Sequence, residues 1–137
     1  MRVYPKVIVL GLDFGTKRVG VAISHGVVAR PYGTLPYSEG SPDELYSRLK
    51  IIIKEQKVQT IVVGLPLGRD GKETEQGKWI RKQAEILKKK LNLPVEFVEE
   101  SFSTYEAKRQ LGKKKKLKEL LDSEAARIIL EQYLNER

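Results

Sequence analysis

A chain of 137 residues is long enough to bury one core. It has no cysteine, which excludes disulfides and thiolate metal sites. Lysine and arginine number 26 against 18 acids, and the net charge of +8 favours a polyanionic partner, nucleic acid before anionic membrane.

A lysine-rich surface made for solubility or heat tolerance fits the same count. No basic-then-apolar leader is visible at the start of the chain. The longest apolar runs are of strand length, well short of the ~20 residues that span a bilayer. A soluble cytoplasmic protein with no membrane partner is the expectation.

Val7 to Leu12 is short, apolar and β-branched, and predicts a buried strand that ends at the lone acid Asp13. "DFGTK" is a turn, and Arg18 to Ile23 predicts the returning strand of a hairpin. Val27 to Leu35 predicts a third strand, and Pro31 and Pro36 argue for an edge position. "SPDELYSRLKIIIKE" predicts a helix with Ser41 as N-cap, Pro42 at the first position and Glu44 closing a capping box. Leu45, Leu49, Ile52 and Ile53 share one face of it.

"TIVVGLP" predicts a second fully apolar strand, followed by the Gly-rich loop "GLPLGRDGKE". Glu73 to Leu91 predicts an amphipathic helix with Ile80, Ala84, Leu87 and Leu91 on one side. "PVEFVEE" predicts another buried strand, ending in Glu99 and Glu100. "STYEAKRQL" opens with a capping box at Ser103 and Glu106, "GKKKKLK" is a basic connection, and "DSEAARIILEQYL" predicts a terminal helix. Strands alternating with helices predict one layered, mixed α/β sheet over the whole chain. Ligands of such sheets collect beyond the carboxyl ends of the parallel strands.

Asp13 and Glu100 fall at such ends, and Asp122 opens the last helix. Carboxylates gathered on one rim repel each other, and a divalent cation removes the conflict. Oxygen-only donors suit Mg²⁺ or Mn²⁺, and paired ions of this kind hydrolyse phosphodiesters. Plainer roles compete: Asp122 as a helix N-cap, and Glu99 and Glu100 as solvated charges at a strand end. Asp13 is harder to dismiss, because an acid closing an apolar strand costs stability unless it is hydrogen-bonded or functional.

Four segments, "LGLDFGTKRVGVAIS", "IVVGLPLGRDG", "EESFSTYEA" and "DSEAARIIL", resemble in order the motifs of the YqgF/RuvX-type proteins. That family is described as candidate Holliday junction resolvases or candidate pre-16S rRNA nucleases with an RNase H-like fold. The resemblance runs over nearly the whole chain. It implies a five-stranded mixed sheet in the order 3-2-1-4-5, with the first three strands antiparallel, flanked by helices. It places the family's acids, as catalytic and metal-holding groups, on Asp13, Glu100 and Asp122. The family's glycine-and-basic turn falls on Gly15, Lys17 and Arg18, and its "GLP…DG" loop on Gly64, Leu65, Pro66, Asp70 and Gly71.

Two departures stand out. Ser101 occupies the family's usual arginine position, so Lys108 or Arg109 would have to compensate. Ser24-His25 replaces Ser-Asp, and this only histidine reads as a surface loop residue rather than a catalytic one. The implied strand order also sets Asp13 and Glu100 two strands apart, about 10 Å. That is too far for one shared ion unless loop residues bend inward or Glu99 substitutes.

In the reading so assembled, Lys17 and Arg18 hold a phosphate near the cut. Lys113, Lys114, Lys115 and Lys116 track the backbone electrostatically, or form only a solvated loop. Trp79 reads as packing or a partner surface. The substrate is structured RNA, first of all the 5′ end of pre-16S rRNA; branched DNA is the alternative. A resolvase needs a symmetric dimer to pair its cuts, so a monomer or weak homodimer is expected. Two rivals remain. "DFGT" before a hairpin also looks like the phosphate loop of the actin/hexokinase/heat-shock ATPase fold, but that fold needs two lobes and this chain supplies one. A non-catalytic RNA-binding assembly factor is the other.

Overall fold

The computed structural model describes residues 7–38, 40–101 and 118–136. Among them lie β1 (Val9–Phe14), β2 (Arg18–Ser24), β3 (Ala29–Pro36), α1 (Asp43–Gln56), β4 (Thr60–Pro66), α2 (Glu75–Leu91), β5 (Val95–Glu100) and α3 (Lys118–Asn135). The five strands form one sheet in the order β3-β2-β1-β4-β5. β2 runs antiparallel to β1 and to β3, while β1/β4 and β4/β5 are parallel. Both the strand order and the directions match the expectation from the motifs.

Strand alternation decides which residues face which helix. Leu10, Leu12, Phe14, Val63 and Leu65 point to one face, against Leu45 and Leu49 of α1 and Ile80 and Leu87 of α2. Val9, Ala22, Val62 and Val98 point to the other, against Ala126, Ile129, Leu130 and Tyr133 of α3. β1 and β4 are apolar in sequence because they sit centrally and are buried on both sides.

α3 lies very close to the sheet. A Cβ placed on Gly20 would stand 1.9 Å from the carbonyl oxygen of Asp122, and one on Gly64 would stand 2.5 Å from Cδ1 of Ile129. A side chain at Gly20 would meet the helix backbone and lift it away, whereas one at Gly64 would first displace the Ile129 side chain.

Several boundaries differ from expectation for local reasons. Ser41 does not cap α1, which starts at Asp43 after Pro42 with no side-chain cap. Glu44, the other half of the expected capping box, is instead bonded to Arg48 at 3.0 Å. α2 begins at Glu75 rather than Glu73, because the Thr74 side chain accepts from the Gly77 amide at 3.0 Å. Glu73 pairs with Leu67 across the loop and with Arg81 Nε at 2.7 Å. β5 is not fully buried: it is an edge strand whose exposure alternates. β3 holds the opposite edge, with its prolines, as expected. The helix expected from Ser103 and most of the basic connection lie outside the described residues.

A candidate catalytic site at the carboxyl edge of the sheet

Asp13 sits near the end of β1, directly opposite Gly20 of β2. Paired residues on antiparallel strands project to the same face, about 5 Å apart. Gly20 faces α3, so Asp13 does too. The Asp122 backbone rests on Gly20. The backbone of Asp122 thus lies against the residue paired with Asp13, although the two acids are 109 positions apart in sequence number.

Asp122 does not open the helix. α3 starts at Lys118, so Asp122 lies inside it, and the N-cap role is excluded. Its carboxylate instead accepts a hydrogen bond from Arg18 Nε at 2.7 Å. Arg18 begins β2, two residues before Gly20, and therefore projects to the same face. Local reading could not have found this pair, whose members are 104 residues apart.

Strand alternation sends Glu99 and Glu100 to opposite faces of the sheet. Glu96 accepts a hydrogen bond from the Tyr133 hydroxyl of α3. Val98 packs on the same helix. Glu100, two further on, shares that face and is 3% exposed, whereas Glu99 is exposed on the other face. The period-2 pattern of "VEFVEE" already carried that signal.

Glu100 nonetheless stands apart. Leu12, Val63 and Phe97 form one register row across β1, β4 and β5. Asp13 lies one residue beyond that row and Glu100 three beyond, which with two strand spacings separates their backbones by about 12 Å. Among the described residues no group of three or more acids or histidines is close enough to hold one metal ion. In donor chemistry, Asp13 and Asp122 fit a hard divalent cation: both are carboxylates, on one face, and a guanidinium already occupies the cation position beside Asp122. Glu100 is on the right face but outside that pair.

The turn between β1 and β2 is closed by the Gly15 amide donating to the Arg18 carbonyl at 2.8 Å, and leaves Lys17 exposed. The loop after β4 folds tightly: the Gly68 amide donates to the Lys72 carbonyl, and Asp70 Oδ1 accepts from the Lys72 amide. The Leu67 amide donates to the Glu100 carbonyl at 2.8 Å, tying this loop to the end of β5. His25 sits in the β2–β3 turn within 3.2 Å of Gln56 Oε1, an exposed loop residue as expected. Trp79 packs edge-on against Phe14 and Tyr37, on the face away from the acids. Lys108, Arg109, Lys113, Lys114, Lys115 and Lys116 lie outside the described residues.

This sheet, with α3 on its acid-bearing face, is an RNase H-like fold similar to solved RuvC structures. RuvC of Thermus thermophilus in complex with a Holliday junction substrate superposes with a TM-score of 0.57 at 14% identity, covering 96% of this chain and 95% of that one. A second Thermus thermophilus RuvC structure gives 0.55 at 14% identity, covering 96% of each chain. At that identity the likeness speaks for the fold alone. The family follows from sequence: residues 7–136 match the model of RuvX, described as Holliday junction resolvase, and the chain belongs to that family. Relatives named "Putative pre-16S rRNA nuclease" include one from Maridesulfovibrio salexigens, 41% identical over 92% of this chain and 96% of that protein. Another, from Synechocystis, is 38% identical over 96% of this chain and 90% of its own length.

Proposed function

We propose that this chain is a single-domain nuclease that hydrolyses phosphodiester bonds of nucleic acid, with the 5′ end of pre-16S rRNA as its first substrate. The observation that carries the reading is the seating of the Asp122 backbone on Gly20, the strand partner of Asp13, at the carboxyl edge of the sheet. The names of the relatives support the choice of RNA.

Asp13 and Asp122 would hold a divalent cation, Mg²⁺ or Mn²⁺, with Glu100 the third acid of the site. A bound cation of this kind would lower the pKa of a coordinated water, easing its deprotonation, and would screen the phosphate charge. The chain's own cations do the rest. Arg18 and the exposed Lys17 take up phosphate oxygens beside the acids. Lys108, Arg109 and the run Lys113 to Lys116 follow the backbone without reading bases. The protein acts in the cytoplasm, as a monomer or weak homodimer. Among the described residues no helix is long and apolar enough to cross a membrane.

The family description favours a second reading, cleavage of four-way DNA junctions. Incubation with labelled structured RNA, single-stranded RNA and DNA junctions, with Mg²⁺, Mn²⁺ or EDTA, separates the possibilities. Metal-dependent cutting of RNA that is lost in Asp13→Asn is the expected result. Paired cuts in junctions with intact RNA would transfer the assignment to the resolvase. Tight binding without cutting any substrate would make the protein a binding module.

A further inference from the structure

We infer that Arg18 is the built-in counter-cation of Asp122, and that a divalent ion entering beside Asp13 displaces it and frees its guanidinium for a substrate phosphate. This rests on the reading that Asp13 and Asp122 hold the ion.

Three observations lead there. Arg18, Gly20 and Asp13 project to the face of the sheet on which Asp122 rests, so two like charges lie on one face together with the Arg18 guanidinium. Left alone, the two carboxylates would disfavour each other's ionised state. The Arg18–Asp122 contact at 2.7 Å supplies the missing positive charge. The pair is also only partly enclosed, with side chains 34% and 27% exposed. Ion pairs reached by water are weak and exchangeable, unlike buried pairs that lock a fold. Finally, a guanidinium carries five donors in a planar fork that matches a phosphate as well as a carboxylate.

The arrangement therefore behaves as an exchange of partners. Without the divalent ion, Arg18 neutralises Asp122 and is withheld from nucleic acid. With it, Asp122 turns to the ion and Arg18 is released beside the site where a phosphate must lie. Ion and substrate then bind with positive coupling, which is reciprocal by linkage.

Two measurements on the full chain test this, neither needing turnover. In the first, Mn²⁺ is titrated by calorimetry into protein without nucleic acid. R18Q removes the competitor and is expected to bind Mn²⁺ about two- to fivefold more tightly, the upper part of the range of one exposed ion pair. K17Q removes the same charge one residue away without touching Asp122, and is expected to change the affinity less than about twofold. In the second, binding of a short RNA is measured in EDTA. D122N should tighten it by releasing Arg18, and the gain should vanish in the R18Q background. Circular dichroism confirms that each variant is folded. If the wild-type chain binds no Mn²⁺, the metal-dependent reading falls. If it binds Mn²⁺ but R18Q binds equally or less tightly, or K17Q matches the R18Q gain, or D122N acts alike in both backgrounds, the exchange is overturned and the metal site stands.

Discussion

Gly20 has a neighbour, not a shape, as its reason to be glycine. A Cβ there would overlap the carbonyl of Asp122, a backbone atom that cannot swing aside. Gly20→Ala is expected to destabilise the fold by about 1–3 kcal/mol through overpacking, read by urea denaturation. The same variant should weaken Mn²⁺ binding, because α3 must retreat and carry Asp122 with it. A second residue-scale effect concerns acid stability. The Arg127 hydrogen bond holds the Glu124 carboxyl below its ordinary value of 4.5. Its contribution is therefore complete above that pH and fades as pH falls through the lowered value. The pair is half open to water, so the amount is about 0.5 kcal/mol. Glu124→Gln should lower stability by about 0.5 kcal/mol at pH 7 and flatten the profile on the acid side of pH 4.5, where the wild-type contribution fades. Asp13 and Glu100 stand out in the sequence as acids closing strand runs, whereas Asp122 is singled out by the family resemblance. Arg18 as the partner of Asp122 could not be picked out, because nothing local relates two residues on different elements.

Among the elements, the strands were the most legible and the helix starts the least. β1 and β4 announce themselves by unbroken apolar runs, which only central strands need. Helix starts depend on which of several competing side chains wins a local hydrogen bond. Ser41 lost that contest and Thr74 won it, though both precede helices with acids in the first turn. Thr74→Ala is expected to cost about 1 kcal/mol, measured by thermal or urea unfolding, whereas Ser41→Ala should cost next to nothing. Asp122 misled for a related reason. An Asp followed by a Glu resembles a helix entrance, but α3 had already begun at Lys118. Leu130, fully buried between α3 and the sheet, anchors that helix. Leu130→Ala should cost about 2–5 kcal/mol and loosen the helix that carries Asp122.

At the scale of the molecule, the net charge of +8 makes binding to nucleic acid depend on salt. Affinity for a short RNA should fall linearly on a log–log plot against salt concentration. Replacing Lys113 to Lys116 by glutamine should make that slope shallower while leaving the relative preference among sequences unchanged. An unchanged slope would place the contacts elsewhere on the surface. The sheet order was legible because four motifs in series define it. The distance between Asp13 and Glu100 followed from that order as well, through strand spacing alone. What remained hidden was how tightly the last helix seats, since that depends on Gly11, Gly20 and Gly64, from three different strands, acting together.

The seating of α3 has a temporal consequence. Asp13 emerges from the ribosome early, but the partner that completes its site arrives on the element made after all five strands. A nascent chain can pair its strands while its other acid is still being synthesised. If Asp13 and Asp122 form the proposed site, hydrolytic capacity would be withheld until translation has passed Asp122, and a half-made copy would not cut nucleic acid around it.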